Sequence, residues 1–205
     1  MCQRKPCYNI AMRALFAGIC IGIAGWGFLV DKVVGMFLFI FGLATVVSYG
    51  AKLFTGMAGY VGSKKDFWEL LLIILPCNIL GCLLVALLTR FTHLPIHEAA
   101  YGLLQSRLDV GPLACGLLAI GCGILMTSAV HFARQGKEFG HWVPLLFAVP
   151  LFIHCGFPHC VADAFYYLTA SDFIVDNPQV LYCYLCSVIG NFIGCNIPRA
   201  LVVER

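Results

Sequence analysis

Two short segments of this sequence place ionisable residues among glycines and prolines inside long apolar stretches. They are Gly50–Gly56, which contains Lys52, and His154–His159, which ends in a histidine. Glycine and proline interrupt helices and free backbone N–H and C=O groups from internal hydrogen bonds. An imidazole has a reference pKa of about 6.5, so His159 can donate a hydrogen bond or exchange a proton near neutral pH. The two segments therefore predict a polar pathway for a small solute.

The same segments admit two kinds of chemistry. Helices that begin after an interruption expose N-terminal amides whose dipole favours an anion, which predicts an anion path past Lys52 and His159. The alternative is a metal or redox site built from His154, Cys155, His159 and Cys160. Four ligands on one short segment rarely surround a single ion, and most of the cysteines fall in apolar stretches where cysteine packs as a small hydrophobe. We therefore expect an anion path without a metal or other cofactor.

Six apolar segments must position these residues. Hydrophobic residues make up 61% of the 205-residue chain and charged residues only 11%, as is typical of integral membrane proteins. About 20 apolar residues in a helix cross a hydrocarbon core about 30 Å thick. Segments of that kind run over residues 11–30, 34–61, 67–88, 113–133, 142–168 and 180–197. The sequence thus predicts an all-α integral membrane protein of six spans, the second and fifth broken, with a polar connection over residues 90–109.

The spans divide into two sets of three within a single transmembrane domain, residues 1–205. The first repeat covers about residues 11–90 and the second about 110–200, and an odd number of spans per repeat inverts the second relative to the first. Each middle span is broken and each third span carries an N-x-x-G-C pattern. The positions concerned are Gly56, Asn78 and Gly81 in the first half and Gly156, Asn191 and Gly194 in the second. Paired breaks of this kind predict a solute path near the midplane.

The basic residues predict the orientation of the spans, because short loops rich in Lys and Arg stay on the cytoplasmic side. With the N-terminus inside, the outer loops carry Lys32, Arg90 and Arg107. The inner side carries nine basic residues: Arg4, Lys5, Arg13, Lys64, Lys65, Arg134, Lys137, Arg199 and Arg205. We therefore expect a multi-pass protein of the cell inner (plasma) membrane, surrounded by lipid bilayer, with both termini cytoplasmic. The net charge of +3 is dispersed over loops and predicts no nucleic-acid partner.

Four stretches of the chain resemble motifs of the formate/nitrite transporter family. They are Arg13–Gly18 (RALFAG), Leu53–Gly56 (LFTG), Gly156–Asp163 (GFPHCVAD) and Gly190–Gly194 (GNFIG). The resemblance extends over nearly the entire chain. It implies an aquaporin-like fold, a homopentamer with a separate pore in each protomer, and a channel or transporter for small monovalent anions rather than an enzyme.

The resemblance also implies roles for individual pore residues. In the family a histidine of the second break and a threonine of the first approach one another in the pore, and these match His159 and Thr55. Apolar constrictions lie on either side of that centre. By motif offset, Leu43 and Phe39 match one constriction and Phe152 matches the other. Phe54, beside the matched threonine, lies at the matched first break, where we expect its aromatic ring to narrow the pore.

The charged positions near the breaks depart from the family pattern. The resemblance gives Arg107 the anion-attracting role of a basic residue just before span four, where the family usually has Lys. Lys52 stands where an acidic residue is usual, Pro158 where Glu is usual, and Asp163 where Asn is usual. An unpaired charge at membrane depth costs several kcal/mol. We therefore hypothesise that Lys52 and Asp163 form a charge pair, and that Lys52 also draws anions toward the pore.

Together these features predict a channel for the small monovalent anions of weak acids, formate or nitrite first, that is passive or proton-coupled through His159. Hydrosulfide, acetate and lactate are alternative solutes for the same fold. A membrane-embedded Cys/His metal or redox protein is a weaker alternative from a different class. A neutral-solute pore ranks last, because the paired Asn-Pro-Ala signatures of water channels are absent from the sequence.

Overall fold

The computed structural model describes residues 6–136 and 138–202, and the regular structure in these ranges is helical. The first half contains α1 (Pro6–Val30), α2 (Lys32–Ser48), α3 (Phe54–Met57), a 3-10 turn (Ala58–Tyr60), α4 (Lys64–Glu69), a π turn (Leu70–Ile74) and α5 (Leu75–Thr89). The second half contains α6 (Ile96–Val110), α7 (Pro112–Gln135), α8 (Phe139–His154), α9 (Cys160–Thr169), α10 (Ser171–Asp176) and α11 (Val180–Leu201). Four basic residues used to predict the orientation lie outside the described ranges: Arg4, Lys5, Lys137 and Arg205.

Within the described residues, four helical segments are long and apolar enough to cross a membrane. They are Tyr8–Val30, Lys64–Thr89, Pro112–Gln135 and Val180–Leu201. Helices α2 and α8 are equally apolar but have only 17 and 16 residues. Each of these two is followed by an interruption and then by a shorter helix, α3 or α9. The interruptions therefore lie where the glycines and prolines of the sequence predict them.

The two interruptions begin with the same backbone geometry. Gly50 and Gly156 both adopt positive φ, 60° and 67°, which is the left-handed region that glycine enters without a steric penalty. The next residue in each case donates a hydrogen bond five residues back, from Ala51 N to Val46 O and from Phe157 N to Phe152 O, both at 2.9 Å. This is the helix-terminating pattern that a C-terminal glycine permits. Glycine at these two positions thus ends α2 and α8 and turns the chain into each break.

The connection predicted over residues 90–109 is mostly a helix, α6, which is a correction to the sequence analysis. Its overall polarity hid a narrow apolar stripe. Ile96, Ala100 and Leu104 recur every fourth residue and are almost completely buried against the bundle. A stripe of this kind stabilises a helix that lies on the surface of a bundle rather than across a membrane.

Helix α6 is held near both of its ends by polar contacts. Near its start, His97 Nε2 lies 2.7 Å from Asp172 Oδ1, on α10. This hydrogen bond lowers the pKa of the exposed Asp172 carboxyl below its ordinary value. Near its end, Arg107 contacts Asp163 on α9. The helix therefore connects α10 to the residues of α9 that follow the second break.

Close helix packing depends on a glycine in each half. A Cβ added to Gly81 on α5 would overlap the backbone carbonyl of Leu15 on α1. A Cβ added to Gly194 on α11 would overlap the carbonyl of Ile120 on α7 in the same way. The two helix pairs α1–α5 and α7–α11 thus approach at backbone distance, which only glycine allows.

We expect Gly194→Ala to lower the free energy of unfolding of the purified protein by about 1–3 kcal/mol, and its melting temperature with it, because the added methyl group must push α7 and α11 apart. The matched control is Gly27→Ala on α1, where an added Cβ would meet nothing within 4 Å. The control should be neutral or slightly stabilising, since alanine has the higher helix propensity. Intrinsic fluorescence during thermal unfolding in detergent measures both. Equal melting temperatures for the two variants would show that the helix pair can separate without cost.

Candidate functional site

The structure brings Thr55 and His159 into direct contact at the junction of the two breaks. Thr55 Oγ1 lies 3.0 Å from His159 Nε2, and both side chains are almost completely buried. Thr55 belongs to the first turn of α3, and His159 is the N-cap residue of α9. The contact joins residues 104 positions apart in the chain. The ends of the two short helices therefore meet at this pair.

The hydrogen bonds of His159 determine which ring nitrogen carries the proton. The backbone N–H of Ala162 donates to His159 Nδ1 at 3.1 Å, so this nitrogen is an acceptor. In the neutral imidazole the proton is then on Nε2, which donates to Thr55 Oγ1. A hydroxyl is both acceptor and donor, so Thr55 keeps its own O–H for another partner. The pair therefore presents neutral hydrogen-bond donors in a buried setting.

A buried asparagine organises the first break. Asn78, on α5, accepts a hydrogen bond from Phe54 N at 2.9 Å. Its amide nitrogen donates to Ala14 O at 2.7 Å and to Lys52 O at 2.9 Å. One side chain therefore ties α1, α5 and both sides of the break together, and satisfies backbone groups that the interruption would otherwise leave unpaired.

Asn191 does the same for the second break. It accepts from Cys160 N at 2.7 Å and donates to Ala119 O at 2.8 Å and to Pro158 O at 2.9 Å. The two asparagines of the N-x-x-G-C patterns thus make equivalent bonds in the two halves. The first amides of α3 and α9 are thus already bound to Asn78 and Asn191, so these two amides are not free to bind an anion, contrary to the helix-dipole argument from the sequence.

Aromatic side chains lie on one side of the Thr55–His159 pair. The rings of Phe39 and Phe152 meet edge to face with centroids 5.9 Å apart, and the Phe152 ring lies 5.6 Å from the His159 ring. The assignment of Phe39 and Phe152 to opposite constrictions, which the resemblance implied, is wrong, because α2 and α8 pack side by side and bring the two rings together. Leu43, one turn further along α2, and Phe54 are also buried in the hydrophobic core.

A cavity of about 210 Å³ opens beside His159, bordered by Phe152, Gly156 and two charged residues. The charged residues are Arg107 and Asp163, whose side chains form a bidentate pair. Arg107 Nε donates to Asp163 Oδ2 and Nη2 donates to Oδ1, both at 3.1 Å, and Nη1 donates to Gly156 O at 2.9 Å. Arg107 therefore borders the same cavity as His159, and its charge is paired.

Lys52 does not pair with Asp163, which corrects the hypothesis drawn from the sequence. Its ammonium group lies 3.9 Å from Met57 Sδ and lines a separate cavity of about 250 Å³ together with Asp66 and Glu69. This cavity has no lining residue in common with the one beside His159. The sequence showed that both charges flank a break, but not that the breaks place them in different cavities.

The four residues of the alternative metal site do not converge. His159 and Cys160 are buried, whereas His154 and Cys155 are exposed at the C-terminal end of α8. In the part of the chain that the structure describes, no group of three or more His, Cys, Asp or Glu side chains could hold a metal ion.

Two features of the site were missed from the sequence. The amide of Ala162 fixes the His159 tautomer, and a histidine at an N-cap position three residues before an alanine gives only a weak signal of this bond. Gly50, the counterpart of Gly156, lies in the first predicted break, but its role as the turning point of that break was not predicted. Its separation from Gly156 equals that between Phe54 and Cys160, the first residues of α3 and α9, so a half-to-half alignment reveals it.

Comparison with known proteins places this geometry in context. A family model described as formate/nitrite transporter matches residues 2–203. An uncharacterized transporter of Bacillus subtilis (strain 168), YrhG, is 34% identical over 160 residues, which cover 68% of this chain and 58% of that protein's length. The formate-nitrite transporter of Plasmodium falciparum (isolate 3D7) is 26% identical over 226 residues, which cover 94% of this chain and 73% of that protein.

Two solved structures share the fold. A pentameric formate channel with formate bound superposes with a TM-score of 0.79 at 23% identity, covering 98% of this chain and 97% of that one. An ion channel of the FNT family superposes with a TM-score of 0.81 at 18% identity, covering 93% and 86%. At these identities the likeness concerns the fold, whose regular structure is helical in the described residues.

Proposed function

Because the chain belongs to the formate/nitrite transporter family, we propose that it is a membrane channel for the small monovalent anions of weak acids, with formate or nitrite as its solute. The observation that carries the proposal is the Thr55–His159 contact, in which a buried imidazole of fixed tautomer and a hydroxyl face each other across the two breaks. Neutral donors at such a point can replace part of the hydration shell of a small anion without binding it too tightly to leave.

The pathway includes the cavity beside His159, the Phe39 and Phe152 rings, and the Thr55–His159 pair. Phe152 and His159 border the same cavity, so a solute in it meets an apolar ring and the imidazole together, and it must shed water to approach the buried Thr55–His159 contact. There, His159 Nε2–H either donates a hydrogen bond to the passing anion or shares its proton with a weak acid that crosses uncharged. Both passive and proton-coupled passage use the same donor. Hydrosulfide, acetate and lactate fit the same chemistry and are alternative solutes.

The architecture we propose is six spans in two inverted repeats, with α2–α3 and α8–α9 as the broken spans. Equivalent bonds of Asn78 and Asn191, equivalent glycine contacts and equivalent turns at Gly50 and Gly156 support the repeat. A homopentamer with one pore per protomer is supported by the pentameric formate channel of the same fold.

The orientation we propose places both termini in the cytoplasm of a cell bounded by the plasma membrane. Basic residues from several helices gather around the first break. Arg13 Nη1 donates to Gly50 O, Arg199 Nη1 donates to Val61 O, and Arg134 Nη2 lies 3.9 Å from Met57 Sδ. Such an accumulation of positive charge at one end supports a cytoplasmic position for that end.

Flux into proteoliposomes tests the proposed function. We expect formate or nitrite to enter vesicles that contain the wild-type protein much faster than chloride does, and faster than in protein-free vesicles. Acetate, lactate and hydrosulfide should be compared at about pH 5.5 and about pH 7.5, on either side of the reference pKa of imidazole. The absence of flux for every weak acid, from protein that is assembled and thermally stable, would contradict the proposal.

A further inference from the structure

The pairing of Arg107 with Asp163 changes the electrostatics of the cavity beside His159. Among the described residues that line the cavity, only these two carry a full charge at neutral pH. The carboxylate is 2% exposed and the guanidinium side chain 16% exposed, so water screens the pair poorly. Their charges cancel. Arg107 therefore does not act as a free positive charge in this cavity.

The pair nevertheless retains hydrogen-bonding capacity. A guanidinium has five N–H donors. Three are used among the described residues, two by Asp163 and one by Gly156 O, which leaves one N–H on Nη1 and one on Nη2. Each oxygen of the Asp163 carboxylate also keeps a lone pair, since a carboxylate accepts about four hydrogen bonds. The cavity thus offers donors and acceptors side by side, with no net charge.

We propose that Asp163 is a specificity-determining residue, which cancels the charge of Arg107 and makes this cavity a subsite for the neutral form of a small weak acid rather than an attractor of its free anion. A protonated carboxylic acid carries a C=O acceptor and an O–H donor on one carbon, which complement an Arg107 N–H and an Asp163 oxygen. A free anion lacks the O–H and meets the carboxylate oxygens with its own charge. The inference rests on the proposed function and states the form in which the solute enters from this side.

The test compares formate uptake by the wild type and by Asp163→Asn. The protein is oriented in vesicles so that the cavity bordered by Arg107 opens to the outside solution. The amide keeps an oxygen for Arg107 but removes the negative charge. We expect the KM for total formate to fall roughly tenfold, because an unpaired positive charge in a cleft concentrates anions. Chloride, which competes little in the wild type, should become a clear competitive inhibitor, while the maximal rate changes less than the KM. A loss of structure alone would not produce this combination.

The double variant Arg107→Gln/Asp163→Asn provides the matched control. It removes both charges, so its KM should return to within about twofold of the wild-type value if Asp163 acts through Arg107. An unchanged KM and no chloride competition in Asp163→Asn would overturn the inference. Should Asp163→Asn not assemble, strong competitive inhibition of the wild type by chloride would overturn it and weak inhibition would support it. A wild type that passes no weak acid would instead contradict the proposed function.

Discussion

Replacement of His159 by alanine is expected to reduce formate flux about a hundredfold, the usual cost of removing one preorganised donor from a buried site. The substitution deletes the Nε2–H that lies 3.0 Å from Thr55 Oγ1. It also deletes the acceptor of the Ala162 amide, so α9 loses its cap. Flux of formate and nitrite into proteoliposomes, normalised to the amount of assembled protein, measures the effect.

Two further variants separate the role of His159 in the pore from its role as a helix cap. Asparagine is a favoured N-cap residue, so His159→Asn should preserve α9 while its shorter side chain no longer reaches Thr55. We expect this variant to be as stable as the wild type and almost as inactive as His159→Ala. Thr55→Val keeps the shape of the partner and removes its hydroxyl, with an intermediate loss of flux. Wild-type flux through a stable His159→Asn protein would show that the solute passes elsewhere.

The helices that cross the apolar stretches could be predicted from composition alone. The segment predicted over residues 113–133 corresponds to Pro112–Gln135, and the segment over 180–197 corresponds to Val180–Leu201. Charged or proline-rich residues mark both ends of these stretches, which leaves little freedom in their bounds. Helix α6 could not be predicted in this way, because three apolar residues on one face do not raise the mean hydropathy of the segment that contains them. Only a period of 3.6 residues reveals it.

For the candidate site, too, some features could be predicted from the sequence and others could not. The residues of the two breaks could be identified from sequence because glycine, proline and ionisable side chains are rare in apolar stretches. Their pairings could not. Two charges that each flank a break predict a pair only if both enter the same cavity, and the sequence carries no direction for either side chain. The position of Phe39 along α2 likewise does not show which residue of α8 its ring contacts. In the structure that residue is Phe152.

Asp163 and Arg107 illustrate how two departures from a family pattern can share one explanation. Taken singly, an aspartate where the resemblance implies asparagine adds a buried charge, and an arginine where it implies lysine changes the shape of one cation on α6. The structure joins them through two parallel hydrogen bonds of 3.1 Å. The planar fork of arginine matches both carboxylate oxygens, which a lysine ammonium cannot do. The two substitutions therefore form one unit, and we expect that neither would be tolerated alone without a change in the charge of the cavity.

Loss of the buried asparagines is expected to have the largest effect on the fold. Asn191→Leu keeps a side chain of similar size but leaves Cys160 N and Pro158 O, at the break, without their partner, and removes one donor from Ala119 O, which lies within α7. Each unsatisfied buried group costs about 1–3 kcal/mol, so the two together approach the lower end of the stability of an ordinary domain, about 5–15 kcal/mol. Asn78→Leu removes the equivalent three bonds from the first break. We expect both variants to yield almost no assembled protein after detergent extraction and size-exclusion chromatography.

The matched control for this loss is Asn196→Leu, one turn beyond Asn191 on α11. Asn196 is only partly buried and donates to Phe192 O and Ala58 O, at 2.8 and 3.2 Å, without bridging a break. Phe192 O lies within α11 and keeps its helical donor, so this variant leaves only one group, Ala58 O, without the donor from residue 196, and it should assemble at close to the wild-type yield. If Asn191→Leu also assembles and melts near the wild-type temperature, the breaks do not depend on these bonds. The position of His159 would then have to be maintained by helix packing alone.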